Sequence, residues 1–78
     1  MNIALYRVRD LRGFSFRDAK GSECSLQESS RLEPAIWLGV DRDFEGRECT
    51  RMELTHEQVA ALLPLLETFV KSRRLPPR

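Results

Sequence analysis

One histidine, two cysteines, two lysines and no glycine-rich run leave this 78-residue chain short of the usual parts of enzymes and metalloproteins. Nucleophilic catalysis needs a Ser or Cys beside a positioned base, and His56 is the single imidazole on offer. Its place in the first turn of an expected helix suits packing or solvent better than catalysis. Two Cys and one His without close ligand spacing do not make a structural zinc site. No glycine-rich phosphate loop is present. The chain is therefore expected to be no enzyme and to carry neither metal nor cofactor. No apolar run approaches the roughly 20 residues of a membrane span. "MNIALYRVRD" also lacks a basic segment followed by a long apolar one, the pattern of a secretory signal. The expected location is the cytoplasm, where Cys24 and Cys49 would be free thiols. A net charge of +1 gives no bulk pull toward nucleic acid or membrane. Glu45, Glu48 and Glu53 interrupt what would otherwise be a basic stripe, which argues against general nucleic-acid binding.

What is present is alternation. "IALYRVR" (Ile3 to Arg9) reads as a first strand and "DLRG" (Asp10 to Gly13) as a turn. "FSFRD" alternates, "DAKG" (Asp18 to Gly21) reads as a hairpin turn, and "SECSLQES" alternates again. Phe14, Phe16, Cys24 and Leu26 then share one face of a hairpin, with Ser15, Arg17, Ser25 and Gln27 on the other. "AIWLGV" (Ala35 to Val40) is apolar almost throughout, which predicts a central strand covered on both faces. Gly39 within it marks a bulge or a close approach to the backbone. "RECTRMEL" (Arg47 to Leu54) alternates as a last strand, with Thr50, Met52 and Leu54 opposite Cys49, Arg51 and Glu53.

"THEQ" then has the spacing of a capping box, Thr55 as N-cap and Gln58 three residues on. Val59, Leu62, Leu63, Leu66, Phe69 and Val70 follow helical periodicity, and Leu65 widens the apolar face to about 160°. Pro64 removes one backbone bond inside this helix, and "PPR" ends it. The fold class is α+β: an antiparallel sheet of four or five strands over about 2–54, one amphipathic helix over about 56–73, and a tail over 74–78. All of it forms one domain, 1–78, with the helix laid across a sheet face. One helix cannot cover both faces of such a sheet, so a homodimer is expected. Its interface would be the helix face, Leu62, Leu65, Leu66 and Phe69, or the uncovered side of the sheet.

The binding candidates are polar. Ser25, Gln27, Ser29 and Ser30 are short donors and acceptors, and Trp37 can supply an aromatic wall. Arg42, Arg47 and Arg51 can pair with carboxylate or phosphate in two-pronged fashion. A solvated sheet face, a core tryptophan and surface ion pairs are the plainer alternatives for the same residues.

The combination "FRDAKGSECSLQESS", "IWLGV" and "RMELTHEQVAALLPLLETFV" resembles a widespread group of small phage and prophage proteins. The resemblance runs over roughly Phe14 to Val70. Two features depart from it: a shorter loop between "IWLG" and "RM", and Glu53 where many members of the group have His. What the resemblance implies is a phage context more than a mechanism. Small phage accessory proteins often bind and block a host protein without turnover, as anti-CRISPR proteins do, or sequester an immune signalling nucleotide. The expectation is a non-enzymatic inhibitor of a bacterial defence or regulatory protein. The alternatives are a nucleotide-sequestering protein and a small structural adaptor.

Overall fold

Five strands follow one another across a single antiparallel sheet in the computed structural model, which describes residues 1–77. They are β1 (Ala4–Val8), β2 (Leu11–Arg17), β3 (Glu23–Glu28), β4 (Ala35–Arg42) and β5 (Met52–Thr55); the helix α1 (His56–Ser72) follows directly. The α+β class read from the sequence is the observed one. No helix among the described residues is long and apolar enough to cross a membrane.

The pairing register separates two faces. Leu5 pairs with Phe14, Phe14 with Leu26, Leu26 with Leu38 and Leu38 with Met52, so one apolar row crosses all five strands. Phe16, Cys24 and Val40 form a second row on the same side. Partners in an antiparallel ladder share a face, so the intervening residues, among them Tyr6, Gly13, Ser25, Gln27 and Trp37, lie on the opposite face. The expected division of the hairpin between its apolar and hydroxyl-bearing sides is the division observed.

Two connections are the same structure made twice. "RDAKGSEC" (Arg17 to Cys24) and "RDFEGREC" (Arg42 to Cys49) share Arg, Asp, Gly, Glu and Cys at equal spacing. In each, the Asp carboxylate accepts backbone N–H groups two and four residues on: Lys20 and Ser22 to Asp18, Glu45 and Arg47 to Asp43. Each Asp carbonyl accepts from a glycine N–H, Gly21 or Gly46, and both glycines have positive φ, 87° and 84°. The arginine before each Asp donates to that glycine's carbonyl, and each Cys thiol donates to the carbonyl two residues back. Both loops follow strands that run the same way, so they sit at one end of the sheet.

Four expectations need correction. The first turn is not Asp10 to Gly13. The chain reverses at Arg9 and Asp10, with Arg9 at φ 58°, and Gly13 lies inside β2. A Cβ on Gly13 would collide with the Tyr6 ring, so this glycine makes room for an aromatic side chain on the neighbouring strand. "AIWLGV" is the fourth strand of five and not the central one, and its residues are half-buried. The last strand covers only Met52–Thr55; of Arg47 to Arg51, Glu48 alone bridges, to Arg42.

The fourth correction concerns the helix. It is not laid across the sheet: it touches β5, and no residue of it is buried. The cause is the junction. Thr55 is both the last residue of β5 and the N-cap of α1. Its hydroxyl accepts from the Gln58 N–H while the Gln58 side chain accepts from the Thr55 N–H, the predicted capping box. The His56 N–H is tied in turn to the Pro34 carbonyl. Strand-to-helix connections usually take about 2–6 residues to turn a helix back over its sheet; here there are none.

Candidate binding face

Side chains on the polar face of the sheet join in one network built around Arg51. Its Nη1 donates to Ser25 Oγ at 3.0 Å and to Gln27 Oε1 at 3.3 Å. Its Nε lies 3.4 Å from Asp41 Oδ1, which accepts the Ser25 hydroxyl at 3.0 Å. The guanidinium sits over the Trp37 ring, 5.6 Å from its centroid. From the far edge the Tyr6 hydroxyl donates to Gln27 Oε1 at 2.9 Å. The network thus bridges β1, β3, β4 and Arg51, the residue just before β5.

Local sequence explains each member. Gly13 and Gly39 carry no side chain, so the Tyr6 ring can lie over β2 and the Arg51 backbone can close on β4. A Cβ on Gly39 would stand 3.2 Å from the Arg51 Cα. The close approach expected at Gly39 is therefore made by the protein's own chain. Asp41 alternates onto the face of Ser25 from Gly39, and a bulge opposite Glu23 and Cys24 leaves it without a ladder partner on β3. Ser25 is 2% exposed, which makes its two hydrogen bonds the means by which a buried hydroxyl is satisfied. Among the described residues no buried side-chain nitrogen or oxygen lacks a partner.

A smaller polar cluster adjoins this one. Ser29 Oγ donates to Glu53 Oε2 at 2.6 Å, and Arg31 lies 3.7 Å from the same carboxylate. Glu53 pairs with Trp37 in the ladder, so the two clusters meet.

Of the binding residues read from the sequence, Ser25, Gln27, Trp37 and Arg51 come together, with Ser29 beside them. Ser30 is exposed in the β3–β4 connection. Arg42 and Arg47 lie apart, engaged with loop carboxylates: Arg42 with Glu48 at 3.7 Å, Arg47 with Asp43 at 2.9 Å and Glu45 at 3.3 Å. Tyr6, Asp41 and Glu53 belong to the face and were not picked out as binding residues. Only the register brings them there, across as many as four strands; the one readable signal was Tyr6, an aromatic residue in the middle of a first strand.

Chemically the face is a set of matched charges and satisfied hydroxyls. The Ser25 and Ser29 hydroxyls are directed at carboxylates and not at an imidazole. His56, the sole histidine, lies instead on the rim of a cleft with Ile36, Leu54 and Val59 at the helix start. Cys24 is buried, and burial pushes its thiol above the ordinary value, away from the reactive thiolate. Cys49 is exposed.

No protein-family model matches the chain, and neither does any curated protein or solved structure.

Proposed function

We propose that the chain is a non-enzymatic phage or prophage accessory protein that binds and blocks a bacterial defence or regulatory protein, in the manner of an anti-CRISPR protein. The polar face of the sheet is its contact surface. The observation that carries this reading is the bracing of Tyr6, Trp37 and Arg51 on one face. Tyr, Trp and Arg are the side chains most enriched among residues that dominate binding energy. Held by one another before contact, they lose little further freedom on binding, which favours affinity. The resemblance of "CSLQESS" and "IWLG" to small phage proteins supplies the bacterial setting.

Sequestration of a nucleotide fits the face less well. Stacking a base on Trp37 would require the Arg51 guanidinium to leave the ring, and a phosphate would have to compete with Asp41 for the same cation.

The test is affinity capture from a bacterial lysate with wild-type protein and the W37A and Y6A variants, each first checked for a folded circular-dichroism spectrum. The expected result is a discrete protein complex retained by wild type and lost by both folded variants. Capture that is unaffected by either change, or a bound small molecule absorbing at 260 nm in place of a protein, would overturn the reading.

A further inference from the structure

Among the described residues, two apolar surfaces are largely uncovered. The row Leu5, Phe14, Leu26, Leu38 and Met52 is exposed at Leu5 (61%), Phe14 (39%) and Met52 (56%), with Leu26 and Leu38 half-buried between them. On the helix, Leu62, Leu65, Leu66 and Phe69 form a second stripe, with Leu66 56% and Phe69 52% exposed. Cys24 is the only buried hydrophobic residue among those described, so the single chain has almost no core.

We propose that a second copy supplies the missing cover: the helix of each chain lies on the apolar sheet face of the other, forming a homodimer by reciprocal exchange. The helix cannot serve its own sheet, because Thr55 joins strand to helix without a connecting residue and the capping box holds the junction. The chain is accordingly too extended for its size. Its Cα radius of gyration is 13.8 Å, where a compact chain of this length has about 11.5 Å. Its accessible surface is 6781 Å², where a folded monomer of this mass has about 4,900 Å². The excess, roughly 1,900 Å² per chain, is more than twice the roughly 800 Å² each partner gives to a standard interface and lies in the range of obligate homodimers.

The helical stripe also fits within the sheet surface: from Leu62 to Phe69 it is about 10 Å long, and the row from Leu5 to Met52 spans about 19 Å. A two-fold pair joins each surface to its counterpart at the same time and closes, leaving neither exposed. A foreign partner would have to cover both. The exchange concerns the face of the sheet opposite Arg51, so it stands or falls separately from the proposed binding role.

The experiment measures the mass of the full chain by sedimentation at micromolar concentration and below. It then uses isotope-filtered nuclear Overhauser spectroscopy on an equal mixture of labelled and unlabelled protein. Expected are a particle of about twice 9.1 kDa and intermolecular contacts from Leu66 and Phe69 to Phe14 and Leu38. A folded particle of single-chain mass would overturn the proposal, as would a dimer whose only intermolecular contacts join sheet to sheet. L66E, folded or not, is expected to lose the dimer. L32E, at an apolar position 103% exposed in the β3–β4 connection, is expected to keep it. A dimer unchanged by L66E would equally defeat the assignment.

Discussion

Arg51 stacks on Trp37 and donates to Ser25 through a single guanidinium, so one side chain joins the aromatic and hydroxyl parts of the polar face. R51A leaves the buried Ser25 hydroxyl with one partner fewer and removes the cation beside Asp41. The expected loss is about 1–3 kcal/mol of stability. R51K should restore only part of it, because an ammonium cannot both lie flat on the ring and reach two acceptors. Urea denaturation followed by emission of Trp37, the one tryptophan, measures both variants; equal midpoints for wild type and R51A would refute the account.

Gly13 is a packing residue and not a turn residue. In G13A the new methyl group meets the Tyr6 ring, which must lift and give up its 2.9 Å bond to Gln27. Destabilisation of about 1–3 kcal/mol is expected. The double variant Y6A/G13A should cost clearly less than the sum of the two single changes, since the clash disappears with the ring. Strict additivity in a denaturant cycle would rule out the contact as the cause.

The two ends of the helix predict opposite signs. T55A removes the hydroxyl that accepts the Gln58 N–H and should cost about 1 kcal/mol. Arg73 caps the other end in the left-handed region at φ 65°, a conformation that glycine adopts more readily. R73G should therefore stabilise by about 0.5–1 kcal/mol. Thermal melts at 222 nm read both effects, and a stabilising T55A would contradict the capping geometry.

The matched loops predict a shared acid response. Asp18 and Asp43 are held below the ordinary value of 3.8, first by the backbone N–H groups of Ser22 and Arg47 respectively. A carboxyl with a lowered folded-state pKa adds stability above its unfolded value, and that stability is lost as pH falls through the folded value. Stability should hold from neutrality down to about pH 4 and decline below it. D18N and D43N should each flatten that decline when urea midpoints are compared between pH 6 and pH 2. A steeper acid limb in either variant would reverse the assignment.

The thiols should differ sharply. Cys24 is 4% exposed and Cys49 is open to solvent. Iodoacetamide on the native protein should modify Cys49 well before Cys24, with the two rates converging in denaturant. Peptide mass spectrometry after timed quenching decides, and equal native rates would show that the sheet opens readily at β3.

Much of this fold could be read before it was seen. The β2–β3 hairpin was legible because Phe14, Phe16, Cys24 and Leu26 alternate with polar neighbours, and the capping box because its two bonds span three residues. The turn at Arg9 was not legible, since an arginine at positive φ leaves no compositional mark while the nearby glycine misleads. Gly13 is explained only by Tyr6, a residue of another strand. The helix was readable as a helix but not in its direction, which depends on a junction with no loop. Half of the polar face was anticipated from "CSLQESS", Trp37 and Arg51. Tyr6, Asp41 and Glu53 joined it through register alone. The Arg-Asp-x-x-Gly-x-Glu-Cys repeat was not read from the sequence, which had suggested no internal repeat; five matching letters in eight carry little signal until the matched hydrogen bonds of the two loops show it.

Because every strand lies next to its neighbour in sequence, no distant stretch of chain has to be threaded between two others before the sheet can form. Such local pairing closes short loops first and favours rapid assembly, hairpin upon hairpin. A variant carrying additional glycines between Arg31 and Pro34 should therefore fold at nearly the natural rate.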